Sequence, residues 1–363
     1  MFGIGTLTVL ILFTLMGPAV FLILVSIIGA YVFSFMTSIY NSTLSDSTLS
    51  KDLIHIQRAF NTEAILKASP TQQDVVSYYT KTTDRDYRLL ELFAGPGLHT
   101  RLNARHPIHT HTGNARQVMH VMNEMAYASE GVTKVLEIGS GRGYCTLMLA
   151  GLLPSKHFEF DAIDIVPRHI EAARMDAKGY TNVHFHLYDA ATFDPPASFN
   201  TIFAVESLCH LDTAASMASF FANAADHLAP GGRIIIIDGF RSDNFSKAPP
   251  DQQLAMRLAE RGFSIKRMHT MGEWVKCAEN EELVMLSGED LTEEALPFWT
   301  MGWRFAHAFL GHVPAWVIRR LRASPFTARS TDNLLSVATV AHAMRNKAAA
   351  VYGVMVFGRL EDD

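Results

Sequence analysis

The run Val135-Leu136-Glu137-Ile138-Gly139-Ser140-Gly141-Arg142-Gly143 constrains this chain more than any other stretch of its 363 residues. An apolar strand passes directly into a glycine turn, and a helical stretch over Cys145 to Leu152 follows. Glycine suits such a turn because it adopts backbone angles closed to other residues and lets a ligand come close to the main chain. The helix start is expected to offer free N–H groups and the positive end of its dipole. Dinucleotide-binding folds use a glycine turn too, with glycines at the first, third and sixth positions. Here the sixth position is Tyr144 and the third glycine falls one place earlier. Glu137 stands two residues ahead of the first glycine, where a carboxylate suits a ligand bearing an ammonium group better than a pyrophosphate. The pattern points away from a nicotinamide cofactor.

Downstream the chain alternates strand and helix, which predicts an α/β fold with a doubly wound, mainly parallel sheet covered on both faces. The predicted strands are Lys134 to Gly139, Phe158 to Ile165, Val183 to Tyr188, Thr201 to Val205 and Arg233 to Asp238. Helical stretches lie over Pro167 to Ala177 and Thr213 to Leu228. Pro230-Gly231-Gly232 reads as a turn feeding the Ile-rich strand, and Leu283 to Leu286 and Val351 to Phe357 bring the sheet to seven strands. Asp164 closes the second strand, 21 residues after Gly143, where an acid accepts hydrogen bonds from both ribose hydroxyls. The neighbouring Asp161 lies mid-strand. Asp189-Ala190 closes the third strand, placed for an adenine amino group. Any one of these acids alone is an ordinary strand-end residue; acids in register after three successive strands are not.

Together, Glu137 to Gly143, Asp164, Asp189 and Pro230-Gly231-Gly232 resemble the class I S-adenosylmethionine-dependent methyltransferases, over roughly Tyr78 to Leu291. The resemblance implies a Rossmann-like seven-stranded sheet, a helical substrate cover and S-adenosylmethionine as methyl donor. It implies that Glu137, Gly139 and Gly141 hold the methionine part, Asp164 the ribose and Asp189 the adenine. Ser140, Gly143, Ile165, Ala190 and Glu206 complete the implied donor site. Val205-Glu206-Ser207-Leu208-Cys209-His210, ending the fourth strand, is similar to the Glu-x-x-x-His segment of sterol, tocopherol and related isoprenoid methyltransferases. Tyr78-Tyr79 resembles the aromatic access segment of the sterol enzymes. Phosphoethanolamine methyltransferases carry a His at the place of His210 but lack the Glu. The implied catalytic residues are therefore Glu206, His210, Tyr78 and Tyr79. A methylated alkene leaves a carbocation that wants a carboxylate and aromatic faces around it, and a base to remove a proton. A hydroxyl or amine acceptor wants Glu206 or His210 as base. The expected acceptor is a sterol- or isoprenoid-like lipid, the alternative a small polar amine or hydroxyl such as a phospholipid headgroup precursor. The chain departs from the sterol enzymes at Ala94 to His99, in the tail after Leu291 and at its N terminus.

The first 45 residues contain no charged side chain and no histidine; Asp46 is the first charge and Lys51 the first cation. A membrane span needs about 20 apolar residues. Met1 to Tyr40 thus predicts either one transmembrane helix over Val20 to Tyr40 behind an apolar lead, or a helical hairpin turning at Gly17-Pro18. The missing basic n-region argues against a cleaved signal peptide. Lys51, Arg58 and Lys67 follow the span and no side-chain cation precedes it, which places the catalytic domain on the cytosolic side of a membrane. Hydrophobic residues at 48% and charged residues at 18% agree with a chain that meets lipid. The net charge of −5 argues against nucleic acid as a partner. Cys145, Cys209 and Cys277 are scattered and read as free thiols. His106, His109 and His111 surround Pro107 without a nearby carboxylate and read as a polar loop, so no metal is expected.

The remaining organisation is helical. Ser42 to Ser50 reads as a linker, Leu53 to about Thr83 as amphipathic helix, and Gln117 to Tyr127 as a helix with a Met-rich face. Leu296 to Leu321 carries aromatics at i, i+4 (Trp299/Trp303, Phe305/Phe309), followed by Arg319, Arg320 and Arg322. It suits a membrane interface or a lid over the substrate, and Asp243 to Arg261 reads as a lid helix. The expected boundaries are 1–45 for the anchor, 46–131 for a linker and helical cap, 132–295 for the donor-binding core, and 296–363 for an aromatic helical segment with a closing strand.

Overall fold

A computed structural model describes residues 18–80, 99–103, 110–195, 197–324 and 326–360. Its helices are α1 Pro18–Asn41, α2 Asp46–Ala59, α3 Thr62–Lys67, α4 Thr110–Glu124, α5 Tyr144–Leu152 and α6 Pro167–Asp176. They continue with α7 Ala214–Asp226, α8 Pro250–Gly262, α9 Met271–Glu279, α10 Thr292–His312, α11 Ala315–Ala323 and α12 Ala328–Met344. The strands are β1 Thr133–Ile138, β2 Phe158–Asp164, β3 Val183–Leu187, β4 Phe199–Val205, β5 Leu228–Arg241, β6 Val284–Asp290 and β7 Ala350–Gly358. They form one seven-stranded sheet in the order β3-β2-β1-β4-β5-β7-β6.

The sheet is mixed. β3, β2, β1, β4 and β5 pair in parallel, while β7 runs antiparallel to both β5 and β6. β7, from the tail, is thus an interior strand, and β6 takes the edge. Most β6 side chains are exposed and the strand ends in Glu289-Asp290, a charged edge that discourages further pairing. The expected turn at Pro230-Gly231-Gly232 is absorbed into β5. Gly231 takes φ +68° there, and the β4–β5 register shifts between Phe199 and Thr201, because proline cannot donate to the ladder.

Side chains alternate across the strands, and both faces are covered, so the central strands read as continuous apolar runs. Ile235 and Ile237 join Val135, Phe160 and Leu149 on the face under α4, α5 and α12. Ile234 and Ile236 join Ile138, Phe221 and Trp274 on the face under α7 and α9. A third cluster forms where Leu49, Leu53 and Ile56, one stripe of α2, meet Leu258, Leu310 and Leu335. Asp52 lies on that stripe, fully buried. It accepts hydrogen bonds from Trp303 Nε1 at 2.8 Å and His342 Nε2 at 3.1 Å, and pairs with His307 Nδ1 at 2.5 Å. Burial works to raise the Asp52 carboxyl, but these three partners outweigh it and hold the group below its ordinary value.

Several predicted elements are divided by local chemistry. The linker ends early because Ser45 and Thr48 form a capping box that starts α2. The single helix expected over Leu53 to Thr83 breaks where Asn61 caps α3 and again at Pro70, before helix resumes over 72–80; 81–83 lie outside the described residues. The aromatic tail breaks at Pro314, between α10 and α11. The lid helix starts only at Pro250, where proline fits a first helical turn. His106 and His109 lie outside the described residues, as do residues 1–17 and with them the hairpin alternative. α1 itself is a 24-residue helix without a charged side chain, whose side chains are described at Ile23 and over 26–41. Among the described residues no helix is long and apolar enough to cross a membrane.

Candidate active site

At the carboxyl ends of β1, β2 and β4 lies a cavity of about 1320 Å³. Gly139, Ser140, Gly141, Asp164, Ile165, Asp189 and Ala190 line one end of it; Glu206, His210, Tyr78 and Tyr79 stand further in. Most of the residues picked from sequence are thus brought together.

The glycine turn is built differently from an anion-binding loop. Gly139 N and Ser140 N donate to Ile163 O at 2.8 and 2.9 Å, Gly143 N to Ser140 O at 2.8 Å, and Gly141 N to Asp164 Oδ2 at 2.8 Å. These turn N–H groups are spent within the protein. Gly139 has φ +70° and Gly141 φ +54°. A Cβ on Gly139 would stand 2.3 Å from Ser207 Cβ, whereas one on Gly141 would meet only open space. Ser140 Oγ is buried with no hydrogen-bond partner among the described residues. Asp164 Oδ1 accepts from Val166 N at 2.7 Å, so the carboxylate is aimed by two amides, and Gln72 Nε2 donates to Asp189 Oδ2.

Two expected contacts sit elsewhere. Glu137 is buried beneath the turn and does not line the cavity. Its Oε2 accepts from Thr146 N at 3.0 Å and from the Thr146 hydroxyl, so in this arrangement its side chain is not presented to an ammonium group. Burial pushes its pKa up to about 8. Gly143, at φ +81°, faces Phe185, whose ring lies 2.5 Å from where a Cβ would be; it lets α5 pack on the sheet instead of touching a ligand.

Glu206 occupies an elbow after β4, at φ +50°, a costly angle for a side-chain-bearing residue. Three donors converge on its Oε1: Thr100 N at 2.7 Å, Gln117 Nε2 at 2.9 Å and Tyr352 OH at 2.7 Å. None of the three was singled out from sequence. Tyr352 comes from β7, far along the chain; the only signal for Gln117 was a polar residue on the apolar face of a helix. His210 Nε2 and Tyr79 OH lie 2.9 Å apart, and His210 Nδ1 is buried without a partner among the described residues. Desolvation lowers the His210 pKa to about 4, so the ring is neutral. Tyr78 OH donates to Asn333 Oδ1 at 2.7 Å, which ties the 72–80 helix to α12. Beyond Glu206 the wall is apolar, with Met256, Phe263, Met268, Trp299, Val337 and Val340 from α8, α10, α12 and the loop after α8. The tail helices therefore roof the cavity. Asp238, below Glu206, is raised to about 7 by burial and then by the Glu206 charge.

A family model described as a methyltransferase domain matches residues 135–232. The chain is 30% identical to a protein-L-isoaspartate O-methyltransferase of Myxococcus xanthus over 178 residues, 45% of this chain and 77% of that one. It is 32% identical to a demethylmenaquinone methyltransferase of Tropheryma whipplei over 111 residues, 30% of this chain, and spans only 44% of that relative's length. Among solved structures it resembles a geranyl diphosphate methyltransferase in complex with GPP and sinefungin, with TM-score 0.58 and 17% identity over 80% of this chain and 99% of the other. It also resembles a mycolic acid cyclopropane synthase complexed with SAH and CTAB, with TM-score 0.62 and 12% identity over 80% and 99%. At such identities the likeness is one of fold.

Proposed function

Since the chain belongs to the class I S-adenosylmethionine-dependent methyltransferases, we propose that it methylates a hydrophobic small molecule, an isoprenoid- or sterol-like lipid, at a membrane. One observation carries the reading: the glycine cradle and the Met- and aromatic-walled compartment are two ends of a single cavity, with Glu206 and His210 lining it too. Two structural neighbours, named for geranyl diphosphate and mycolic acid, and a relative named for demethylmenaquinone support the acceptor class.

The cradle fits the donor. The unpartnered Ser140 Oγ, the open space over Gly141 and the amide-oriented Asp164 suit its amino acid and ribose parts, with Asp189 near the adenine. When bound, S-adenosylmethionine supplies an electrophilic methyl group on a cationic sulfur. The chain's own contribution is positioning and charge. Glu206, held by three donors, offers a fixed carboxylate to positive charge in the cavity. His210, neutral by desolvation, adds no positive charge of its own and has Nδ1 available to take a proton. Its low basicity suffices where the proton leaves a carbon beside a carbocation, and it would serve poorly for an ordinary amine. Tyr79 fixes the ring through Nε2. That difference favours an alkene-bearing acceptor over the polar one.

The membrane is part of the reading. The uncharged α1 and the run before it form the anchor, with the catalytic domain on the cytosolic side. Membranes incubated with the full chain and methyl-labelled donor should yield label in an extracted apolar lipid; label confined to water-soluble products rejects the lipid acceptor.

A further inference from the structure

Resting on that reading, we propose that the acceptor enters the cavity sideways from the bilayer, through a mouth at Phe305 bordered by the apolar helix α1. Phe305 lines the cavity yet is 51% exposed, and its ring meets Phe35 of α1 edge to face at 6.0 Å. The cavity side of α10 is a helical stripe of Phe298, Trp299, Met301, Gly302 and Phe305. At 1.5 Å per residue it runs about 10 Å, from the ring beside the buried Arg101 out to α1.

The two helices are antiparallel. Tyr31 OH donates to His312 O at 2.8 Å, Phe35 meets Phe305, and Arg304 Nε donates to Ser42 O at 3.1 Å. Phe35 therefore lies about 9 Å, six residues, inside the Asn41 end of α1, toward the end of the proposed anchor that leads into the catalytic domain. The rest of α1 says what surrounds it. Ile27, Ile28, Val32 and Phe33 are each more than half exposed, an apolar stripe without cover among the described residues, which acyl chains would satisfy. Trp316, also exposed and followed by Arg319 and Arg320, marks the headgroup level on α11. The opposite end of the cavity is rimmed by Gln72, Arg142, Asp176 and Asp189, which suits a water-soluble donor. Donor and acceptor thus arrive from different phases.

Two variants of the full chain test this. Phe305→Trp in vesicles of phosphatidylcholine brominated on its acyl chains should show more quenching than the wild-type chain; no added quenching overturns the mouth. Phe305→Glu should lower the ratio of methyl incorporation into vesicle-borne apolar lipid extract over the same extract in detergent micelles by at least about tenfold, with S-adenosylhomocysteine still bound. An unchanged ratio, whether both activities fall together or neither falls, overturns the proposal. A wild-type chain that labels no apolar lipid in either form overturns the parent reading and this one with it.

Discussion

Replacing Gly139 by alanine tests the packing beneath the donor cradle. The added Cβ would stand 2.3 Å from Ser207 Cβ and 2.7 Å from Ser207 Oγ. Ser207 cannot swing aside freely, because its hydroxyl donates to Ile138 O at 2.7 Å. Overpacking of this kind costs about 1–3 kcal/mol, and φ +70° adds about 1–2 kcal/mol for a residue with a Cβ. Gly139→Ala should therefore lose about 2–5 kcal/mol. Ser207→Gly alone gives up one hydrogen bond, about 1 kcal/mol. In the double variant the collision is gone while the dihedral cost and the lost hydrogen bond both stay, so its loss should fall short of the sum by about 1–3 kcal/mol. Urea midpoints of the three variants in detergent, at constant slope, give these values. Losses that add to within about 0.5 kcal/mol would refute the argument, since the two side chains would then not meet.

Asp164→Ala removes the acceptor of the Gly141 and Val166 amides together with the proposed ribose contact; S-adenosylhomocysteine affinity by calorimetry should fall about tenfold to a hundredfold, and retained affinity would misplace the ribose. Glu206→Gln should leave that affinity within about threefold while slowing turnover by about 10²–10⁴; an unchanged rate removes Glu206 from the chemistry. Because the folded-state pKa of Glu137 is raised from 4.5 to about 8, its contribution to stability is full below pH 4.5 and is lost as pH rises through 8. Glu137→Gln should flatten the fall in urea midpoint across that window, and an unaltered slope would mean the carboxyl is solvated. His210, lowered to about 4, should give turnover an acidic limb near pH 4; a limb near 6.5, the ordinary histidine value, would contradict its desolvation.

Local patterns were the legible part of this chain. Strands buried on both faces announce themselves as apolar runs, and Thr213 marks the start of its helix, which it caps; the caps at Ser45 and Asn61 were missed, inside a stretch read as linker and one read as continuous helix. The residues proposed for the donor end share one cavity for the same reason, since they come from consecutive strand ends in register. Contacts between distant segments were not. Nothing near Tyr352 says that β7 inserts beside β5 and delivers a hydroxyl to Glu206, and nothing near Asp52 foretells His307 and His342. The burial of Glu137 was hidden as well, because an acid two residues before a glycine turn can point either into the ligand or under the helix. The aromatic tail was ambiguous in one dimension because it serves in three settings: Trp299 faces the cavity, Trp303 faces Asp52 and Trp316 faces outward.

The inward-turned amides of the glycine bend bear on selectivity inside a cell. Adenine nucleotides share their adenosine half with the methyl donor, so recognition of base and sugar alone would let them compete. A glycine bend that cradles a triphosphate does so through main-chain donors, and those from Gly139, Ser140, Gly141 and Gly143 are already engaged. Competitors of this pocket should accordingly be found among uncharged or nitrogen-cationic adenosine derivatives, with phosphorylated ones poorly tolerated.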